Sequence, residues 1–509
     1  MINTNMRLSG LATGMDTENV IRDLMKIERF PLDKKLKEKQ IWEWRRDDYR
    51  SLNTRLLALK NKAFDMTLNT NYLVKRATST NESVATASAS GSALNGVYNL
   101  KVLQLAEAAT NTSSQAISLS SDDKIDPSKS LYYLKDMFAD SSFFDGVTAD
   151  DSFDVTINGK TLTFSYGDGL NKILNTINSD KDLKVSIFYD SGTDRIAMTS
   201  KVTGEDAELH VEGAFFTDLL KIDNSTKVAG KNAEFILNGL ATNRSSNNFT
   251  INGVTFNLKG VTPGGVDGVA TSIDIQTDTD TIVNNIKAFV DLYNEVLTAL
   301  DSKITEPRYR DYQPLTSEEK DAMKEADIEK WEEKARSGLL RSDSIIEGIL
   351  TDMRRIVAET VGGIDGLKSL NEIGISAGAY LTNKTRTLTI DERKLREAIE
   401  KDPEAVAKIF NNESEIDSEK GLMIRLNEKI TAGINKITNR AGNSTTGYDQ
   451  SVISKTIRNI DDYITRMEER LMKVEENYWR RFTAMERAIS TMNSQSAWLS
   501  AQFAGLGAN

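Results

Sequence analysis

The 509-residue chain contains no cysteine, a single histidine and no long apolar run. The absence of cysteine excludes disulfides, thiolate nucleophiles and cysteine metal sites. The one histidine, His210, cannot build a metal site that needs several histidines. Its surroundings, Ala-Glu-Leu-His-Val-Glu-Gly, favour a partly exposed strand residue over a catalytic one. We therefore expect a protein that uses neither cofactor nor metal.

The chain also lacks any stretch of about 18 apolar residues, so no transmembrane helix and no membrane insertion are predicted. Its start, Met-Ile-Asn-Thr-Asn-Met-Arg-Leu-Ser-Gly, lacks the basic start and apolar core of a cleavable signal peptide. We expect the protein to stay in the cytosol or to leave by a route other than Sec. A formal net charge of −11 disfavours nucleic acid as the main partner, because phosphate binding needs a positive field.

Residues 453–506 place an apolar side chain at every third or fourth position, which predicts one long helix with a single apolar seam. The seam consists of Ile453, Ile457, Ile460, Ile464, Met467, Leu471, Val474, Tyr478, Phe482, Met485, Ile489 and Met492, and continues through Leu499, Phe503 and Leu506. A helix cannot bury such a seam against itself. The pattern therefore indicates a protein that assembles with another helix, and it gives no indication of catalytic chemistry.

Residues 16–66 are also predicted to be helical, with Pro31 kinking or breaking the helix. The apolar positions are Val20, Leu24 and Ile27 before the proline, and Leu52, Leu56 and Leu59 after it. Closing the loop between the two terminal helices costs only about 5 kcal/mol, so they can pair within one chain. Each helix alone is marginal in water, and the alternative is that the ends become ordered only against a partner, in the same or another subunit.

Asn-Gly turns at 158–159 and 252–253 each separate two alternating segments, which predicts two β-hairpins. Both turns lie in a Thr-Ile-Asn-Gly segment, which hints at two related β modules. After Asp280 a helical period returns at Ile282, Ile286, Phe289, Tyr293, Val296 and Leu300. The polar middle of the chain is therefore predicted to be β structure inserted between helical flanks.

The later part of the chain carries shorter signals. A charged helix is predicted near 317–336, and Trp331 on it is interpreted as a packing residue. Short strands are predicted near 373–375 and 387–390. Asp402-Pro403 predicts the start of a further helix, because aspartate caps and proline favours the first helical position.

Three patterns suggest chemistry, and for each we favour a structural explanation. A basic and aromatic segment over 34–62 could bind nucleic acid, but interleaved acidic residues favour the solvated face of a helix. The glycine-rich segment 261–270 leads into a strand, which favours a turn over a phosphate loop. Carboxylate pairs such as Asp150 and Asp151 are expected by chance among 75 acidic residues and suit turns better than a hydrolase site.

A series of short motifs follows a characteristic order along the chain. They are Gly10-Leu11-Ala12-Thr13-Gly14-Met15-Asp16; Leu24-Met25 with Glu28-Arg29-Phe30-Pro31-Leu32; Ala233-Glu234-Phe235-Ile236-Leu237-Asn238-Gly239 with Arg244-Ser245-Ser246-Asn247; Phe289-Val290 with Tyr293-Asn294; Pro314-Leu315-Thr316, Trp331, Gly338-Leu339-Leu340-Arg341 and Asp343; and Ile373-Gly374-Ile375 with Ile390-Asp391-Glu392 and Leu395. Together they resemble the bacterial flagellar filament cap family, also called hook-associated protein 2. Residues 171–216 are similar to an insertion motif shared with flagellins. Thr387 departs from the family, which usually has glycine there, so the turn before that strand is expected to differ.

The resemblance implies a structural protein without enzymatic activity that caps the distal end of the flagellar filament and promotes flagellin polymerisation; an adhesion role is left open. The implied partners are further copies of itself in a ring, flagellin, hook-filament junction proteins, and a cytosolic export chaperone on the C-terminal helix. The implied location is extracellular, at the flagellum tip, after type III export without a cleaved signal peptide. The terminal-helix residues named above are the expected docking and oligomer seam.

We therefore expect an α+β multidomain fold with terminal coiled-coil helices, a mixed helical and β leg domain, and inserted antiparallel β head modules. The expected bounds are 1–70 for the N-terminal helices, 71–110 and 281–440 for the leg, 111–230 and 231–280 for two head modules, and 441–509 for the C-terminal helix. The alternative hypothesis is a secreted adhesin or hydrolase that carries β modules on a coiled-coil stalk. A hydrolase would need two carboxylates about 5–10 Å apart in a head cleft.

Overall fold

The computed structural model describes residues 16–223, 225–378, 386–443 and 449–506, with side chains up to Ala501. The chain folds into two compact units. Described residues up to Tyr72 and from Ile282 onward form a helical unit, and Leu73–Thr281 form a β unit. The β unit thus interrupts the helical unit in sequence, and the predicted α+β multidomain class is confirmed.

The helices, in chain order, are α1 (Thr17–Asp65), α2 (Leu170–Ser179), α3 (Thr279–Thr305), α4 (Ser317–Asp321), α5 (Glu325–Arg336), α6 (Ser344–Ala358), α7 (Glu392–Lys401), α8 (Pro403–Asn411), α9 (Leu422–Ala441) and α10 (Val452–Leu506). The strands are β1 (Lys75–Ser79), β2 (Ala85–Ala89), β3 (Gly96–Gln104), β4 (Ala108–Thr112), β5 (Ser152–Ile157), β6 (Lys160–Ser165), β7 (Val185–Asp190), β8 (Arg195–Thr203), β9 (Val211–Glu212), β10 (Ala233–Leu237), β11 (Leu240–Arg244), β12 (Asn248–Ile251), β13 (Val254–Leu258), β14 (Thr271–Thr277), β15 (Ile375–Ala377) and β16 (Leu388–Ile390).

Helix α1 is continuous through Pro31, so of the predicted kink or break at this residue the break is wrong. The carboxylate of Asp16 caps the helix by accepting from the backbone N–H of Asn19 at 3.1 Å. A proline inside a helix removes one backbone hydrogen bond and costs about 3 kcal/mol. Packing on both sides of the proline offsets this, because Ile21 and Leu32 are both almost fully buried.

Helix α9 was not predicted, although it packs along α1 for much of its length. Its buried side chains include Leu426, Ile430 and Ile437, which keep the three-to-four residue spacing of an amphipathic helix. Gly433 allows α6 to approach closely, since a Cβ at this position would lie 2.7 Å from Cγ1 of Ile349. The helical unit is therefore a packed bundle rather than two terminal helices attached to a separate core.

In its described residues, the β unit contains four antiparallel sheets around two hydrophobic cores. One core lies between the five-stranded sheet β1-β14-β3-β10-β11 and the three-stranded sheet β12-β13-β2. The second core is formed by the sheets β4-β8-β7 and β6-β5-β9 together with α2. Strands β1 and β3 pair with β14 and β10, so residues 75–104 join the β unit. This corrects the expectation that 71–110 belong with 281–440, because backbone pairing, which sequence distance hides, decides membership.

Both predicted hairpins are present, with two-residue turns at Asn158-Gly159 and Asn252-Gly253. All four turn residues have positive φ, as a type I′ turn requires. A third hairpin of the same kind has its turn at Asn238-Gly239. The Thr-Ile-Asn-Gly hairpins lie in different sheets around different cores, so the repeat is a shared hairpin rather than a repeated domain.

The smaller elements follow the predictions with local changes. Strands β15 and β16 pair antiparallel near the predicted positions. Asp402 caps α8 by accepting from the N–H of Ala405 at 2.9 Å. The predicted charged helix is divided into α4 and α5, and Trp331 on α5 packs against Tyr312 and donates to the carbonyl of Gln313 at 2.8 Å.

Candidate assembly site in the terminal helices

Helix α10 packs antiparallel along α1, so the two predicted terminal helices pair within one chain. Polar contacts mark the pairing at three levels. Arg50 contacts Asp449 at 2.8 Å, Lys39 contacts Asp461 at 2.7 Å, and the hydroxyl of Tyr478 donates to Glu28 at 3.3 Å. Between these levels Leu32 packs with Ile460, Ile464 and Leu471, with Trp42 half-buried beside them.

The predicted seam changes character along α10. Ile453, Ile457, Ile460, Ile464 and Leu471 are buried. Met467, Val474, Tyr478, Phe482, Met485 and Ile489 are half-buried, whereas Met492 and Leu499 are exposed. The side chains of Phe503 and Leu506 lie outside the described residues. The seam is therefore satisfied in its first half and open toward its end.

The N-terminal seam residues also differ in their environment. Leu52, Leu56 and Leu59 are buried, Leu24 is half-buried, and Val20 and Ile27 are exposed. The buried face before the proline instead carries Ile21 and Leu32. Two apolar stripes run side by side on this part of α1, and the period alone does not tell which one meets α10. Val20 and Ile27 thus remain predicted docking residues without a described intramolecular role.

The distal end of α10 extends beyond the start of α1. Glu28 lies level with Tyr478, and α1 begins eleven residues earlier at Thr17, which is level with about Ile489. From Thr491 to Ala501 every residue is exposed, including Met492 at 64%, Trp498 at 64% and Leu499 at 47%. At about 1.5 Å per residue, the helix after Ile489 continues for about 26 Å. This segment exposes apolar surface that an isolated helix cannot bury, which is typical of a binding surface.

A buried polar cluster holds the middle of α1 in the bundle. The carboxylate of Asp48 is almost fully buried and accepts from Arg336 at 2.7 Å, with the ammonium of Lys303 at 3.6 Å. Tyr49 donates to Asp343, the capping residue of α6, and burial followed by this contact raises the pKa of Tyr49. The cluster connects α1 to the ends of α3, α5 and α6. No local sequence pattern indicates this cluster, because its partners lie about 255–295 residues from Asp48 and Tyr49.

The other candidate residues have structural roles. His210 is exposed, with Nε2 2.8 Å from a carboxylate oxygen of Glu212. Asp151 accepts from the backbone N–H and the hydroxyl of Thr148, and these two bonds lower the pKa of Asp151, as expected for turn chemistry. Gly264 has a φ of +84° in a turn that precedes β14. Among the residues the structure describes, no helix is long and apolar enough to cross a membrane.

The chain has paired terminal helices, an exposed helical end and a β unit that is inserted in sequence between its helical parts. This α+β architecture is that of an assembly protein. Comparison with family models identifies the protein family. The model for the C-terminus of flagellar hook-associated protein 2 matches residues 230–494, and the model for its N-terminus matches residues 13–109. The chain belongs to the flagellar hook-associated protein 2 family.

Several relatives have similar sequences or folds. The flagellar hook-associated protein 2 of Halalkalibacterium halodurans is 32% identical, over 97% of this chain and 99% of the relative. The protein of the same name from Thermotoga maritima is 29% identical over 69% of this chain and 55% of its own length. A crystal structure of the D1-D2-D3 domains of the flagellar cap protein FliD from Escherichia coli has the same fold, with a TM-score of 0.54 and 20% identity. It covers 81% of this chain and 99% of that one.

Proposed function

We propose that this protein forms a homo-oligomeric cap at the distal end of the flagellar filament and promotes the addition of flagellin beneath it. Family membership supports this, together with the fold shared with a flagellar cap protein. The observation that carries the proposal is the exposed distal end of α10, since an apolar helical end suits docking against other helices.

The amount of exposed apolar surface suits contacts that form and break. Burying a large apolar side chain contributes about 1.5–3 kcal/mol. The three large apolar side chains that are exposed in the described part of this segment, Met492, Trp498 and Leu499, would together give a few such contributions. Ordering the helix end consumes part of this free energy. The remaining interaction is weak enough for a cap to change its contacts as each flagellin is added.

The other expected properties belong to the same proposal. The chain leaves the cell unfolded through the type III channel, and its lack of cysteine removes one covalent obstacle to that passage. An export chaperone covers the distal part of α10 before export, and hook-filament junction proteins are the neighbours before the filament grows. The chain acts structurally and not as an enzyme.

The test uses a strain without the native gene, complemented with the full chain or with variants. Trp498→Asp places a charge on the exposed distal face, whereas Gln495→Ala is a matched control in the same exposed segment. We expect Trp498→Asp to be secreted normally but to give short or absent filaments, with free flagellin in the medium. Immunogold electron microscopy of filament tips and quantification of secreted protein provide the readout. Normal filaments with Trp498→Asp, or absence of the full chain from the tips, would refute the proposal.

The hydrolase alternative gains no support from two clefts on the described part of the β unit. One is lined by Asp168, which is paired with Lys172 at 2.6 Å, and the other has no carboxylate in its lining. Neither of these clefts contains the carboxylate pair that glycoside hydrolysis requires. The adhesion role stays a prediction.

A further inference from the structure

A groove runs along the helical unit between α1 and the segment that contains α4. Its volume is about 940 Å³, and its apolar lining comes from Phe30, Ile41 and Ala322. Phe30 is 71% exposed, which is unusual for a phenylalanine that lines a groove in a folded unit. The groove follows α1 from Lys26 to Ile41, a length of about 22 Å at 1.5 Å per residue.

The charges that line this groove balance one another. Four basic and four acidic side chains line it, and Lys37 on α1 pairs with Glu319 on α4 at 2.8 Å. A groove whose lining has balanced charges and apolar side chains offers no net attraction to a strongly charged ligand. It suits an uncharged helix that brings large apolar side chains.

The distal part of α10 has these properties. From Ala488 to Ala501 the sequence contains no charged residue, and Met492, Trp498 and Leu499 are exposed. Residues 490–501 span about 17 Å of helix, which fits within the length of the groove. We propose that the groove receives residues 490–501 of α10 from a second copy of the chain, an inference that deepens the proposed homo-oligomeric cap and rests on it.

The helix cannot reach the groove of its own copy. Phe30 lies level with about residue 476 of the paired α10, so Trp498 is about 33 Å farther along the same helix. This separation is far greater than the roughly 7 Å between Cα atoms that a disulfide allows. The proposed contact is therefore between two copies of the chain. It is heterologous, because the groove of one copy meets the helix end of the other. Such contacts propagate around a closed ring or along a helical array.

The absence of cysteine makes the contact directly testable by disulfide trapping. Full-length Phe30→Cys and Trp498→Cys chains carry different tags and are mixed under mild oxidation. Leu36→Cys is the matched control for the groove position, because it lies on α1 within the same stretch, is partly exposed and does not line the groove. We expect about tenfold more mixed disulfide with Phe30→Cys than with Leu36→Cys, since only the groove holds the two Cβ atoms within bonding range.

A second variant tests whether the apolar face drives the contact. Leu499→Cys should also cross-link to Phe30→Cys, and adding Trp498→Asp to it should reduce the yield to the level of the control. Equal yields for groove and control positions would overturn the inference. So would a cross-link from Phe30→Cys to Met6→Cys in the same chain that competes with the mixed disulfide, because the groove would then hold the chain's own first residues.

Expressing the cysteine variants in the complemented strain of the previous section separates the groove contact from the proposed cap function. A chain that is present at filament tips without the Phe30–Trp498 cross-link refutes only the groove contact. A cross-link in a protein that is absent from the tips refutes the cap and leaves the groove contact standing.

Discussion

Two leucines on α10 should respond in opposite ways to the same substitution. Leu471 is 8% exposed and packs with Leu32, Ile460 and Ile464, whereas Leu499 is 47% exposed. In the purified full-length protein, we expect Leu471→Ala to destabilise the helical unit. We expect Leu499→Ala to leave the stability of this unit unchanged and to impair assembly. The pair therefore tests whether α10 has one part for folding and another for docking.

The magnitudes follow from burial. Leucine-to-alanine changes in protein cores cost about 2–5 kcal/mol. The cluster around Leu471 is small and open at its sides, so the lower part of this range, about 2–3 kcal/mol, applies. An exposed leucine without core contacts should change the free energy of unfolding by no more than about 0.5 kcal/mol.

Tryptophan fluorescence during urea denaturation measures the difference in stability between the two variants specifically for the helical unit. All five tryptophans, at positions 42, 44, 331, 479 and 498, lie outside the β unit, so the signal reports unfolding of the helical unit alone. With a slope of about 2–3 kcal/mol per molar urea, Leu471→Ala should lower the midpoint by about 1 M. If Leu499→Ala lowered the midpoint equally, the distal helix would be part of the folded unit, and the assignment of this segment to docking would be wrong.

Three further substitutions test the local physics. Contacts with Lys221 and a serine hydroxyl lower the pKa of Asp140, so this carboxylate stabilises the β unit above its unfolded pKa of about 3.9, and the stabilisation is lost as the pH falls below about 4. Asp140→Asn should therefore flatten the acid dependence of the calorimetric transition of the β unit, and an unchanged dependence would contradict this role. Gly253→Ala should destabilise the β unit by about 1–2 kcal/mol more than Gly239→Ala, although both have positive φ, because a Cβ at Gly253 meets a serine hydroxyl at 2.7 Å and one at Gly239 meets nothing within 4 Å; calorimetry of the two variants compares them, and equal losses would show that the neighbour yields. Asp48→Asn should destabilise the helical unit by about 2–3 kcal/mol in the fluorescence assay, below the full value for a broken buried pair because its basic partners stay partly hydrated; no measurable change would show that the cluster contributes only geometry.

Much of the local structure could be predicted from short-range patterns. The Asn-Gly turns at 158–159 and 252–253 require positive φ, and Asp402-Pro403 marks a helix start, so each signal lies within a few residues of its effect. The long apolar period of α10 predicts a helix for the same reason. Local patterns failed where packing competes with them, as at Pro31, where burial of the neighbouring residues outweighs one lost hydrogen bond.

Long-range pairing decided the remaining features. Strands β1 and β3 join β14 and β10 across more than a hundred residues, and no local pattern of residues 71–110 shows which strands they meet. The helical period on α1 identifies two apolar stripes, yet only the folded structure shows that Ile21 is buried and Ile27 is exposed. The candidate docking surface depends on this choice, because it is the surface that folding leaves uncovered.

By itself, the sequence determined that the chain has amphipathic helices toward both ends, Asn-Gly hairpins between them and no cysteine, since each depends on composition or on spacing over one or two turns. Only the tertiary structure decided how far the helical seam is satisfied within one chain. Most seam residues of α10 up to Leu471 are buried and the described ones after Ile489 are exposed, because the described helix α1 that packs beside them begins only at Thr17.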